Sequence, residues 1–321
     1  MNYLVRRFVR ALFLMIGVST LCFFLMQLAP GKFFDELRLN PQISAQTIVQ
    51  LNRRYGLDQP IALRYIRWVR AAAGGDFGYS IAYNVPVASL LWIRAKHTLL
   101  LTGTATLLIW LIAVPMGVLA AASRSLDKTV VAVNSFLISI PEIVVALGLL
   151  ALAVHSRVLP LGAMQSLGFE GLSGGAQLRD LLLHMALPVA ILVLLGLPVI
   201  TQHIRTSVVE ILDTPYIQAA RGLGIAPARV LFRHALPVAA NPAISLFGFS
   251  LAGLLSSSLL VEVITGWPGL GPLILEATLA RDLCVVVGGA MLSALLMIGG
   301  NFVADLMLLA SDPRIRTGAQ D

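Results

Sequence analysis

The chain has 321 residues, 58% of them apolar and 12% charged, with a mean hydropathy of +0.86. That is too apolar for a soluble globule of this length, so the chain reads as a polytopic membrane protein. The formal charge of +7 does not indicate a nucleic-acid partner, because the basic residues are scattered and no basic stripe interleaves with aromatics. Cys22 and Cys284 each lie in an apolar run and read as small hydrophobes.

Nearly charge-free runs occur at 11–29, 98–122, 130–154, 181–200, 242–264 and 283–310. Each is long enough for a helix to cross about 30 Å of hydrocarbon, which predicts six spans. Arg6, Arg7 and Arg10 precede the first run, and Arg124 and Lys128 separate the second from the third. Arg205, Arg221, Arg229 and Arg233 lie between the fourth and fifth, and Arg314 and Arg316 follow the sixth. With six crossings these segments share one side, which the positive-inside rule makes the cytoplasm, and both termini fall there. The opposed segment 31–97 carries nine Lys/Arg, but it exceeds sixty residues, and loops that long translocate largely regardless of charge.

Taken in order, the first run has Gln27 and Pro30 where a leader would place a small-residue cleavage site, so it is expected to stay as an anchor. Segment 31–97 holds two helical patterns. One covers 44–55, with Ser44 as N-cap and Ile48, Leu51 and Tyr55 at helical spacing; the other covers 61–73 and is stopped by Gly74 and Gly75. In the third run, Pro141-Glu142 puts an acid deep in apolar sequence. A carboxylate near a helix centre costs ~2.5–3.5 kcal/mol, so it must face a cavity or a partner. Glu142 either lines a path that favours cationic or amine-bearing solutes or is neutralised by a neighbouring helix or by protonation. Pro141 frees a carbonyl and kinks the span. Pro188 and Pro198 in the fourth run do the same where a bundle rocks. The fifth and sixth runs are rich in Gly, Ala and Ser, and these faces serve either the fold itself or a second subunit. Ser256 and Glu262 join Glu142 as candidate path residues, Glu262 near a span end. Trp267 suits a membrane interface.

The stretch 213–237 predicts two short helices joined by a glycine turn. Asp213 or Thr214 caps the first, Pro215 takes N1, Gly222 and Gly224 end it, and Pro227 opens a second that runs towards Leu236. Adjacent Ala219 and Ala220 let a partner approach closely, which describes docking and not catalysis. No Gly-x-x-x-x-Gly-Lys-[Ser/Thr] loop is present and no His-Glu-x-x-His, and the five histidines lack ligand spacing. No enzyme, metal or cofactor site is therefore expected.

Gln218-Ala219-Ala220, then Gly224, then His234-Ala235-Leu236-Pro237 resemble, at matching offsets, the loop by which permease subunits of ABC importers engage their ATPase. Gln218 stands for the motif's acid and His234 for its isoleucine, as in the dipeptide/oligopeptide branch of that family. Leu28-Ala29-Pro30-Gly31, Tyr55-Gly-Leu-Asp-Gln-Pro60, Gly75-Asp-Phe-Gly-Tyr-Ser80, Val261 to Gly271, and Ser311-Asp-Pro-Arg-Ile-Arg316 are similar to that branch too.

The resemblance implies an all-α membrane protein of six transmembrane helices, the type I ABC importer transmembrane fold with an extra N-terminal span and an extracytoplasmic subdomain. It divides the chain into an anchor (1–30), the subdomain (31–97), a five-span core (98–310) with its coupling loop at 204–240, and a cytoplasmic tail (311–321). The subdomain is then a lid on the helices or a surface for a solute-delivery protein. Tyr216, Gln218, Ala219, Ala220, Arg221, Gly224, His234, Leu236 and Pro237 would couple to the ATPase. The implied partners are a second homologous permease, two ABC ATPase subunits that bind ATP and Mg, and an extracytoplasmic solute-binding protein, all at the bacterial inner membrane. Di- and oligopeptides lead as solutes, ahead of nickel complexes and glutathione. The rival class is an ion-coupled secondary transporter or channel, which would show related halves or several intramembrane ionisable residues. No internal repeat is visible, and Glu142 is the single acid deep in a run.

Overall fold

The computed structural model describes residues 3–28, 46, 49–50, 53 and 58–311. The helical pattern expected at 44–55 lies almost wholly outside the described residues, as do Arg314 and Arg316. Among the described residues, helices are α1 (Tyr3–Leu28), α2 (Ile61–Ala73), α3 (Val87–Ala122), α4 (Arg124–Ile138) and α5 (Glu142–Ser156). They continue as α6 (Gly174–Leu212), α7 (Pro215–Gly222), α8 (Leu236–Thr265), α9 (Leu270–Leu279) and α10 (Leu283–Ser311). A two-residue hairpin, β1 (Tyr79–Ser80) with β2 (Val85–Pro86), precedes α3. The chain divides into two compact units, Met1–His97 with Pro268–Leu295, and Thr98–Trp267 with Leu296–Asp321.

In the first unit α2 is amphipathic. Ile61, Tyr65, Trp68, Val69 and Ala72 recur at helical spacing and gather with Phe23, Phe77, Cys284 and Val287 in one apolar cluster. The α2 pattern therefore becomes a layer seated on α1, with the Tyr65 hydroxyl 3.0 Å from Ser19 Oγ and 2.7 Å from Thr20 Oγ1. The ring of Tyr65 meets Phe23 edge-on at 5.3 Å. Beyond Gly74, Asp76 Oδ1 accepts the Gly78 N–H at 2.9 Å, and Trp68 Nε1 donates to the Phe77 carbonyl at 3.1 Å.

Asp282 ties this unit together and is 1% exposed. Its Oδ2 accepts Ser80 Oγ at 2.6 Å and the Ala82 N–H at 3.1 Å, while Oδ1 faces the Val285 N–H at 3.4 Å, where α10 begins. One carboxyl group thus caps a spanning helix and closes the hairpin. Beside it the Tyr83 hydroxyl donates to Glu276, and burial together with that carboxylate pushes the phenol up to about 12.

The second unit has a continuous core. On α3, Leu101, Ala105, Ile109 and Ala113 form a fully buried stripe four residues apart. They face a cluster that includes Ile191, Leu192, Leu254, Val261 and Trp267. Buried hydroxyls are satisfied locally, Thr102 donating to the Thr98 carbonyl at 2.8 Å and Thr106 to that of Thr102 at 2.7 Å. Small residues serve close helix packing here. A Cβ on Gly248 would lie 2.2 Å from Ala304 Cβ, and one on Gly196 would lie 2.6 Å from Ile109 Cδ1.

Among the described residues, five helices are long and apolar enough to cross a membrane, and the sixth expected span differs in form. α4 and α5 meet at 94° across Ser139–Pro141, so the run read as one kinked helix is a broken pair. The cause is local: Pro141 supplies no N–H and disfavours helical φ/ψ at Ile140, which stops α4. Trp267, expected at an interface, is 1% exposed in the core. Gly266, at φ +71°, ends α8 and turns the indole inward. Glu262, expected to be interfacial, is fully buried.

Replacing Asp282 by Ala should cost about 2–4 kcal/mol, since a helix cap is lost and a buried hydroxyl and N–H lose their acceptor. Thermal unfolding in detergent checks this, and an unchanged midpoint would refute the clasp. Tyr83 supplies a second test. Its phenol is raised in the folded chain, so the folded state holds the proton more tightly than the unfolded one. Its contribution is fully present below the ordinary value of 10.0 and is lost as pH climbs towards about 12. A Tyr83→Phe chain should lack this part of the alkaline decline.

The candidate coupling loop

Residues 204–240 form a stalk, a short helix and a return. α6 runs 39 residues, a length of about 58 Å, whereas about 20 residues suffice to cross hydrocarbon. Its surplus extends beyond the apolar run and carries the loop. The stalk is braced where Arg205 meets Asp127 of α4 through two parallel hydrogen bonds, Nη2 donating to Oδ2 at 2.9 Å and Nε to Oδ1. This places the α4 start and the α6 end on one side, as the positive-inside reading requires.

α7 begins as the spacing predicted, with Pro215 at N1 and Thr214 at the N-cap position. The Thr214 hydroxyl does not cap α7; it turns back to the Ile211 carbonyl at 2.7 Å and finishes α6. Gln218 Nε2 donates to the Asp213 carbonyl at 3.2 Å, which an ionised glutamate at this position could not do.

The helix ends in a Schellman motif. The Ile225 N–H reaches the Ala220 carbonyl at 3.4 Å, and the Gly224 N–H reaches that of Arg221 at 2.9 Å. Gly224 sits at φ +75°, and a Cβ there would meet nothing within 4 Å. Glycine is therefore required by backbone conformation and not by space. Gly222 belongs to the last turn of α7.

Past Pro227–Arg229 the chain does not form an ordinary second helix. Val230–Ala235 is a π-helical turn that runs directly into α8. His234 projects from it, its Nδ1 2.8 Å from the Tyr216 hydroxyl and its ring edge-on to Tyr216 at 6.0 Å. The residue that departs from the isoleucine form thus bridges the two halves of the loop.

The expected docking residues divide by face. Tyr216, Gln218, Ala219, Arg221, Gly224 and Pro237 are exposed, and His234 and Leu236 are half-buried. Ala220 differs from these: it is 6% exposed and lies one turn after the fully buried Ile217, on the inward side of α7. Two residues that sequence reasoning missed are Leu223 and Phe232, 82% and 60% exposed on the outer side of the loop. The available signal was an apolar residue between two glycines, off any apolar face. The Asp127–Arg205 pair was missed as well, although opposite charges at neighbouring span ends were its trace.

Of the candidate path residues, Glu142 is exposed at the first position of α5, and Ser257 Oγ donates to its Oε1 at 3.1 Å. Ser256, beside that partner, is exposed, and Glu262 is buried within its own unit.

Long apolar helices joined by a loop with exposed apolar residues define a polytopic membrane protein. Residues 113–317 match the family described as the binding-protein-dependent transport system inner membrane component, and residues 1–102 match the N-terminal region of such membrane components. The chain is 32% identical over 317 residues to the oligopeptide transport system permease protein AppB of Bacillus subtilis, covering 98% of each chain. It is 33% identical to the oligopeptide transport system permease protein OppB of Salmonella typhimurium, over 98% of this chain and 99% of that one. The dipeptide transport system permease protein DppB of Escherichia coli is 30% identical, with the same coverage. A chain of the MetNI methionine ABC transporter, solved in inward-facing conformations, aligns with a TM-score of 0.54 at 19% identity, covering 70% of this chain and 96% of that one. It shows the type I importer transmembrane fold. The chain belongs to the family of binding-protein-dependent transport system inner membrane components.

Because Gly224 has open space but a left-handed backbone, Gly224→Asn should be tolerated, whereas Gly224→Val should destabilise the end of α7 by about 1–2 kcal/mol. Protease nicking of the loop in detergent distinguishes them. Equal susceptibility of the two variants would contradict the conformational explanation.

Proposed function

We propose that this chain is one permease subunit of an ATP-driven importer for di- or oligopeptides, working with a second, similar permease, two ATPase subunits and an extracytoplasmic binding protein. The observation that carries the reading is the outward face of the 204–240 loop. Leu223, Phe232, Tyr216 and Ala219 stand exposed outside the apolar spans, among Arg221, Arg229 and Arg233. An apolar surface of this kind, away from lipid, needs a protein partner. Support for the solute comes from relatives named as peptide permeases at about a third identity over nearly the whole chain.

The mechanism follows from how the loop is built. A groove on the ATPase takes the exposed side of α7, with Ala219 allowing close approach and Leu223 entering as an apolar knob. Closure of the ATPases displaces α7, and its buried side hands that displacement to α6 and α8. The spans then rock, opening the solute path to one side and afterwards to the other. ATP and Mg belong to the partner subunits, and this chain supplies coupling and path. Both termini and the loop lie in the cytoplasm, consistent with Arg6, Arg7, Arg10 and the loop arginines.

Leu223→Glu tests this reading without touching the core, since an exposed substitution should leave stability within about 0.5 kcal/mol. It should weaken co-purification of the ATPase subunits about tenfold or more and abolish ATP-dependent uptake of a labelled tripeptide in proteoliposomes containing the complete complex. Wild-type assembly and uptake by this variant would refute the docking assignment.

A further inference from the structure

Glu142 is a charged side chain that the coupling reading does not use. It opens α5 immediately after the 94° break, and its hydrogen-bond partner among the described residues is the Ser257 hydroxyl of α8. Ser257 lies eight residues before the end of the apolar span Pro242–Thr265, about 12 Å of helix rise inside it. The contact therefore fixes the carboxylate well within the membrane, independently of its position between α4 and α5. It is exposed at the surface of this chain, and lipid is excluded as its surroundings by the energetic penalty on a carboxylate at such depth. What faces it is polar.

Its setting selects for positive charge. Ser257 supplies one hydrogen bond, which leaves most of the carboxylate's acceptor capacity available. The carbonyls at the end of α4 are already used by the chain, the Ser139 N–H reaching those of Ser135 and Phe136 and the Ile140 N–H that of Leu137, so the carboxylate itself is the group that draws positive charge. On α8 the exposed Gly253 and Ser256 leave small polar surface beside Ser257.

We propose that Glu142, supported by Ser257, is a transient binding site on the solute path for the ammonium groups of basic peptides, favouring them over neutral peptides of equal length. This rests on the importer reading above. The attraction arises where a lysine-bearing solute passes the break, and it acts in this subunit, downstream of the binding protein.

The test uses the complete complex in proteoliposomes with binding protein and ATP, comparing a lysine-containing tripeptide with its norleucine counterpart. Taking the ratio of variant to wild-type uptake for each peptide cancels the binding protein's own preference. Glu142→Gln should lower uptake of the lysine peptide about tenfold more than that of the norleucine peptide, the scale of one charged hydrogen bond. Ser257→Ala, which keeps the carboxylate, should weaken the same preference by a smaller factor and guards against misassembly of the first variant. An equal fall for both peptides would mean a structural role or a basic partner from the second permease, and would overturn the proposal. So would no fall for either. A wild-type complex that imports neither peptide with ATP would remove the importer reading itself, and this site with it.

Discussion

The structure depends on the burial of one side of a short helix. Ile217 is fully buried in a core that also contains Val208 and Leu212 of α6 and Val230, Leu231 and Ala235 of the π-helical turn, and Ala220 one turn on is buried as well. Because that core is close-packed, α7 cannot move without moving what it touches. The same helix presents Ala219 and Tyr216 outward, so it has one buried and one exposed face. The Schellman end at Gly224 and the Tyr216–His234 hydrogen bond hold the loop closed around this anchor.

Within the membrane the governing constraint is satisfaction of polar groups without water. Threonine hydroxyls on α3 donate to carbonyls one turn back, and Trp110 Nε1 donates to Ser250 Oγ at 3.1 Å. Apolar burial offers little attraction between helices already surrounded by lipid, so association relies on close contact. This explains why Gly196 and Gly248 sit where a methyl group would collide with a neighbour. The π-helical turn before α8 lies between the docking helix and these packed spans. A stretch with one residue too many per turn can change register more readily than a regular helix can.

How much was legible varies with the range of the interactions concerned. Spans could be counted because hydrocarbon thickness sets a length that an apolar run either meets or fails to meet. The end of α2 and both ends of α7 could be read because Gly75, Pro215 and Gly224 act through their own φ angles. The short helix and glycine turn of 213–237 were recognisable because their signals are contiguous in sequence. By contrast, Pro141 announced a disturbance but not a 94° turn, since the size of a bend depends on what the two halves pack against.

From sequence alone came the membrane class, the apolar runs and the position of the short helix that Pro215 opens, all of which follow from local composition and local backbone preference. Tertiary structure alone decided that Ala220 faces inward while Leu223 faces out, that Trp267 and Glu262 are core residues, and that Asp127 braces Arg205. It also joined Asp282 to Ser80 across 202 positions of sequence. The physical reason is that burial and pairing are properties of two surfaces meeting, and a residue's own neighbours in the chain do not specify which distant surface it will meet.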